Sequence, residues 1–175
     1  MDALVFLIDT LVSLYLFVLL LRLLLQLVRA DFRNPLARAI VQLSNPLILP
    51  LRRVLPAAGR IDTASVVAVV LVTAAKLLVL YGLSRLPFPT ALPFARALAV
   101  ELLRLVLQTY FYAILLYALM SFVAQGAYSP GQSLLASLCE PVLRPIRRRI
   151  PSISGLDLSP LWAIIAIQAL LLLIR

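Results

Sequence analysis

The sequence predicts an all-α membrane protein, with four transmembrane helices forming two parallel two-helix repeats, each with a Pro/Arg-rich interfacial helical loop. Three observations carry this expectation. Hydrophobic residues make up 63% of the 175 residues and the mean hydropathy is +1.07, against roughly 45–50% apolar content in soluble domains. Four apolar runs approach or exceed the length needed to cross about 30 Å of hydrocarbon. A basic segment, Pro46 to Asp62, returns as Pro141 to Asp157, and each copy feeds directly into one of the apolar runs.

The repeat is read at a constant offset of 95 positions without a gap. Pro46/Pro141, Pro50/Pro145, Arg52/Arg147, Arg53/Arg148, Pro56/Pro151 and Asp62/Asp157 are identical, while the residues between them stay apolar or small. Punctuating and charged residues are the shared ones, so the repeated unit is a backbone shape with fixed charges. The chain divides accordingly into a first repeat over 1–84, a linker over 85–95 and a second repeat over 96–175.

Ala3 to Val28 is interrupted only by Asp9, Thr10, Ser13, Arg22 and Gln26 and is the first expected span. A cleaved signal peptide fits poorly, because no basic stretch precedes the apolar core and Arg22 breaks it. Asn34-Pro35 then offers an N-cap and a first helical residue for a short interfacial helix. Its apolar side is expected at Leu36, Ile40, Val41 and Leu43, and its polar side at Arg38 and Gln42. Asn45-Pro46 restarts the chain, Pro50 fits only a first turn or a kink, and Pro56 with Gly59 ends the segment. This stretch reads either as an interfacial loop whose arginines hold the topology or as a re-entrant, docking element.

Asp62 and Thr63 cap the second expected span, Asp62 to Ser84, whose one interior charge is Lys76. The linker over 85–95 is broken by prolines, and helix resumes after Pro93. An amphipathic start with Arg96, Glu101 and Arg104 leads into the third span, Leu105 to Ala124. Tyr110, Tyr112 and Tyr117 are packing and interface residues, whose hydroxyls need partners inside a bundle. Ser129-Pro130 opens the second repeat's short helix, and Leu158 to Ile174 is the fourth span, at the lower length limit.

The net charge of +9 comes from 15 Arg and one Lys against seven acids. Arginines number six from Arg29 to Asp62 and four from Gln125 to Asp157, but three from Ser84 to Arg104 and none before the first span. Both repeated loops are therefore expected in the cytoplasm, with both termini outside it. Equivalent positions are separated by two spans, which makes the repeats parallel.

The same composition narrows the chemistry. Histidine is absent, which removes the usual general base and the commonest metal and haem ligand. The acids are scattered rather than paired, so no catalytic residues, no cofactor and no metal are expected. Cys139 is the single cysteine and aligns with Ser44, which marks it as a packing residue rather than a nucleophile. Apolar surroundings of the arginines argue against nucleic acid as a partner. Depth in the membrane allows two charge pairings, Asp9 with Lys76 towards the outer side and Arg22 with Asp62 towards the cytoplasm, the alternative being that Arg22 and Lys76 snorkel to opposite interfaces without partners.

Leu27-Val28-Arg29-Ala30-Asp31-Phe32, Asn34-Pro35, Asn45-Pro46 through Pro50-Leu51-Arg52-Arg53 to Pro56, and Ile61-Asp62, with their second copy, resemble the YggT family of small bacterial membrane proteins. The resemblance covers nearly the whole chain. It implies association with osmotic or ion tolerance, with cell-division gene neighbourhoods and, in plastid relatives, with haem attachment to a cytochrome b. The second copy departs from the pattern with Glu140 for Asn45, Tyr117 for Arg22 and Ser154 for Gly59.

The function expected is that of an assembly or scaffold protein. Its docking surface comprises Arg52, Arg53, Arg147, Arg148, Asn45, Pro46, Pro50, Pro141 and Pro145, the two loops together forming one cytoplasmic face. Anionic membrane lipids and a membrane protein partner, or a second copy, are the expected occupants. A channel, transporter or accessory subunit is the alternative, favoured by the intramembrane charges Asp9, Arg22, Asp62 and Lys76.

Overall fold

The structure, a computed structural model, describes residues 2–55, 62–83, 89–123, 129–150 and 157–174. The expected breaks at Pro56, Gly59 and Pro151, the Ser154 departure and residues 85–88 of the linker lie outside these. Six α-helices and no strands are present among the described residues: α1 Asp2–Leu27, α2 Pro35–Val54, α3 Thr63–Leu83, α4 Ala91–Val123, α5 Pro130–Arg147 and α6 Ser159–Leu173.

Three of these, α1, α3 and α4, are long and apolar enough to cross a membrane, which corrects the expectation of four. α6 is uncharged and mostly apolar but only 15 residues long, about 22 Å at 1.5 Å per residue and short of a 30 Å hydrocarbon layer. Placing the carboxy terminus outside the cytoplasm no longer follows. The spanning helices bury few side chains and leave Phe6, Leu11, Leu14, Leu71, Leu78 and Leu119 exposed, an arrangement suited to contact with lipid tails.

A second correction concerns the prolines. α2 runs unbroken through Pro46 and Pro50, where a restart at Asn45-Pro46 was expected with Pro50 in its first turn or at a kink, and α5 likewise runs through Pro141 and Pro145. Each proline removes one N–H donor and crowds the carbonyl four residues earlier. The helices survive because packing on their other side holds them. Ala37, Ser44 and Ile48 form the buried side of α2, whereas Leu36 and Leu43, expected on the apolar side of an interfacial helix, are exposed. In α4 the helix starts at Ala91, so Pro93 falls within the first turn and no boundary separates the amphipathic start from the span.

The chain forms two compact units. The first comprises Met1–Leu23 and Ile40–Leu105 and the second Leu24–Ala39 and Val106–Arg175. The core of the first gathers Leu19, Ile48, Ala64, Ala68 and Val69, with Tyr15, Leu47, Leu51, Val72, Leu102 and Leu105 packed around it. Ala64 and Ala68, one turn apart, give α3 the small face that allows close helix approach. In the second unit Leu134, Leu138, Cys139 and Leu143 are the buried side of α5, which packs against α6.

The end of α1 is closed by a Schellman arrangement. The Ala30 N–H reaches the Leu25 carbonyl at 2.9 Å and the Arg29 N–H the Gln26 carbonyl at 3.1 Å. Arg29 takes the left-handed position, φ 55°, that glycine adopts without a Cβ penalty. Arg29→Gly is expected to be neutral or to stabilise by up to about 1 kcal/mol, measured as a rise in unfolding temperature in detergent. A clear loss would assign the guanidinium a contact worth more than the backbone strain.

Candidate functional site

Three polar clusters lie in this otherwise apolar protein. In the first unit the C-terminal end of α2 is tied to the start of α3. Arg52 donates from Nε and Nη2 to the Asp62 carboxylate, the closest approach being 2.5 Å, and the Ser65 hydroxyl donates to the same carboxylate at 2.7 Å. Asp62 is buried and its carbonyl accepts the Val66 N–H, so it stands at the positive end of the α3 dipole. Burial alone would raise its carboxyl pKa. Hydrogen bonds from Arg52 and Ser65, with the charges of Arg52 and Arg22, outweigh that and hold it below the ordinary carboxylate value.

The second unit repeats this corner ten residues apart in the same way. Arg147 donates from Nε to Asp157 at 2.8 Å, from Nη1 to Glu140 at 2.9 Å and from Nη2 to the Tyr117 hydroxyl at 3.3 Å. Asp157 in turn accepts the Ser159 N–H at 2.9 Å. Its pKa, raised by burial, is brought below the usual value by Ser159 and Arg147. The hydroxyl of Tyr117 thus has its partner.

Arg22, at the equivalent of Tyr117, is buried in the first unit and does not pair with Asp62 as expected. Its Nη1 donates instead to the Ser44 hydroxyl at 2.8 Å, the Asn45 carboxamide oxygen at 2.9 Å and the Val41 carbonyl at 3.3 Å. Asp62 is taken by Arg52. Ser44 and Asn45 as inward-facing acceptors were missed in the sequence, where Ser44 stands out only as the counterpart of Cys139 and Asn45 as a chain restart on the docking surface.

The third cluster is centred on Lys76 of α3, buried between α1 and α4. Its ammonium group meets Asp9 at 3.0 Å, the Ser13 hydroxyl at 3.0 Å and Glu101 at 2.7 Å. Three acceptors match the three ammonium protons, leaving none for a fourth ligand. Asp9 and Ser13 share one face of α1 at i, i+4 spacing. The structure places Asp9 with Lys76, while Glu101, read only as part of an amphipathic stretch, is a third partner that also meets Arg104 at 3.5 Å.

The remaining arginines and prolines of the loops are surface features. Pro46, Pro50 and Arg53 at i, i+4, i+7 spacing share one exposed face of α2, and Pro141, Pro145 and Arg148 share the equivalent face of α5. Among the described residues neither Arg53 nor Arg148 has an ion-pair partner, whereas Arg52 and Arg147 do. Cys139 lies fully buried beneath, and desolvation pushes its thiol up to about 12, so it is unreactive at neutral pH.

The sequence profile of the CCB3/YggT family matches residues 1–83 and 97–175. An uncharacterized protein of Pseudomonas aeruginosa is 41% identical over 177 residues, covering 98% of this chain and 88% of that one. The uncharacterized protein YggT of Escherichia coli K12 is 38% identical over 171 residues, covering 97% and 88% respectively. A Vibrio alginolyticus protein, also uncharacterized, is 39% identical over 171 residues, covering 96% and 91%. No solved structure matches the chain.

Two outcomes follow from the clusters. Lys76→Met is expected to cost on the order of 3 kcal/mol, because it strips a partner from two carboxylates at once, and to lower both abundance in the membrane and unfolding temperature. Exchanging the charges of Asp9 and Lys76 should recover only part of that loss, since the new carboxylate would face Glu101; adding Glu101→Gln should recover more. The depressed Asp62 and Asp157 values give stability that is complete above about pH 4, the unfolded carboxylate value, and lost as pH falls through the native values. Asp62→Asn combined with Asp157→Asn should lower the unfolding temperature at pH 7 and flatten its fall in acid.

Proposed function

Because the chain belongs to the CCB3/YggT family and has three helices suited to crossing a membrane, we propose that it is an assembly or scaffold protein of the bacterial inner membrane. Its α2 and α5 each present a Pro-Pro-Arg face to an anionic partner, lipid head groups or an acidic protein segment, on the cytoplasmic side. The observation that carries this reading is the division of labour within each Arg-Arg pair. Arg52 and Arg147 fix the helix end to the next segment, which leaves Arg53 and Arg148 exposed and available. Prolines on the same face lock φ, so little chain entropy is lost when the face docks. The arginine asymmetry supports a cytoplasmic position for residues 28–62 and 124–157, and the family resemblance links such a role to osmotic tolerance or cell division.

Transport, or service to a transporter, is the second reading, favoured by the charged Lys76 cluster among spanning helices. Saturation of all three ammonium protons weighs against a solute site there. Ion flux in liposomes containing only the purified protein separates the two readings.

Docking and topology are tested separately. Cytoplasm-active reporters fused after residues 57 and 150 should be active and one after residue 87 inactive. Arg53→Lys with Arg148→Lys keeps the charge and therefore the orientation, but removes bidentate recognition of carboxylate or phosphate. Cross-linking to native lipids and proteins is expected to fall at unchanged abundance. Undiminished cross-linking would reduce these arginines to topology signals.

A further inference from the structure

The two repeats build the same corner with opposite charge balance. In the second, one guanidinium, Arg147, is met by two carboxylates, Glu140 and Asp157, and by the neutral Tyr117. In the first, two guanidiniums, Arg22 and Arg52, share one carboxylate, Asp62, with neutral Asn45 standing where the other repeat has Glu140. Four equivalent positions thus sum to +1 in one copy and −1 in the other.

No other carboxylate makes good the deficit. All seven acids lie among the described residues. Asp9 and Glu101 hold Lys76, Glu140 and Asp157 hold Arg147, Asp62 holds Arg52, and Asp31 accepts the Arg33 N–H. Asp2 begins α1, 20 residues or about 30 Å from Arg22 along the helix. Arg22 is 4% exposed, and among the described residues it is bonded only to neutral oxygens through Nη1. Burying a guanidinium whose hydrogen bonds all go to neutral oxygens is costly, and the one carboxylate near it, Asp62, is engaged by Arg52. The position suits an external anion: Arg22 lies five residues, about 8 Å, from the end of α1, within reach of the head-group layer.

We propose that a phosphate group binds in the first repeat between Arg22 and Arg52, in the place that the Glu140 carboxylate fills in the second. Reach supports this: Glu140 and Arg147 are seven residues apart on α5 and meet at 2.9 Å, and the same spacing separates Asn45 from Arg52 on α2. Arg22 also lies within electrostatic range of both Arg52 and Asp62. The Arg52 side chain is 45% exposed and meets Asp62 through Nε and Nη2, so its Nη1 is not used by that carboxylate. Two guanidiniums supply the forked donors that phosphate oxygens take. The proposal narrows the docking reading to one repeat and one chemistry, while using residues apart from the Pro-Pro-Arg face.

The test uses the full-length protein. Its unfolding temperature is followed in lipid-free detergent with inorganic phosphate, and in nanodiscs of phosphatidylcholine with and without phosphatidylglycerol. Wild type should be stabilised by at least one of the two probes, phosphate alone indicating a soluble anion and phosphatidylglycerol alone a lipid head group. Asn45→Glu, which imports the second repeat's carboxylate, should raise the unfolding temperature without added anion and weaken the apparent affinity by about tenfold or more. Glu140→Asn with Tyr117→Arg should create a second anion response in the other repeat. Absence of any wild-type response, or an Asn45→Glu response equal to wild type, would overturn the site. The loss of affinity on Asn45→Glu should be the same in a background of Arg53→Lys with Arg148→Lys; a loss that needs those two arginines would move the anion to the exposed face and overturn this assignment, without touching the docking reading.

Discussion

The arginine–aspartate pair spanning ten residues, Arg52 to Asp62 and again Arg147 to Asp157, is the constraint on which the rest of the structure depends. It ties the end of a surface-suited helix to the first turn of the apolar helix that follows. Asp62 would be costly as a lone buried carboxylate. Bound by Arg52 and Ser65 at the positive end of α3, it becomes a fixed corner instead. With that corner set, the α2 face bearing Ser44 and Ile48 is directed inward, where Ser44 reaches Arg22 and Ile48 joins Leu19, Ala64 and Ala68.

Charges elsewhere obey the same economy. An ammonium group inside an apolar protein needs each donor occupied, and at Lys76 the chain meets this with few residues placed on neighbouring helices. Lys76 draws its three acceptors from two other helices, so it also acts as a cross-brace on α1, α3 and α4. The brace has no counterpart at the equivalent positions of the second repeat, where Lys76 is replaced by Leu171 and Asp9 by Arg104. The repeats therefore share their corners but not their braces.

Much of this was legible in the sequence, for identifiable reasons. The constant offset singled out Arg52, Arg147, Asp62 and Asp157 but not their pairing, since depth assigned Asp62 to Arg22; depth did bring Asp9 and Lys76 together, because like depths on neighbouring helices leave few alternatives. The partners of Arg22 were not legible. Neutral acceptors such as Ser44 and Asn45 carry no charge signal, and Asn45-Pro46 imitates a helix start. The unbroken α2 and α5 were hidden by the same prolines, since local propensity favours a break and only tertiary packing of the opposite face overrides it. α6 was read as a span from its composition, although its 15 helical residues fall short in length.

The placing of those prolines bears on whether α2 and α5 lie at the membrane surface or dip into it. Pro46 and Pro50 free the carbonyls of Gln42 and Pro46 from helical hydrogen bonding, and Pro141 and Pro145 free those of Ser137 and Pro141. All these residues are exposed. In hydrocarbon a bare carbonyl costs several kcal/mol, and lipid tails offer no donor. In the head-group layer water and ammonium groups supply donors freely, and a docking partner can do so too. The proline face therefore argues for a position at the interface and against a re-entrant path. It also gives the exposed stripe a polarity that side chains alone conceal, with the freed carbonyl oxygens of Pro46 and Pro141 two turns before Arg53 and Arg148. A partner meeting this face finds acceptors and a guanidinium donor together, a pattern that anionic head groups bearing hydroxyls or amines satisfy on both counts.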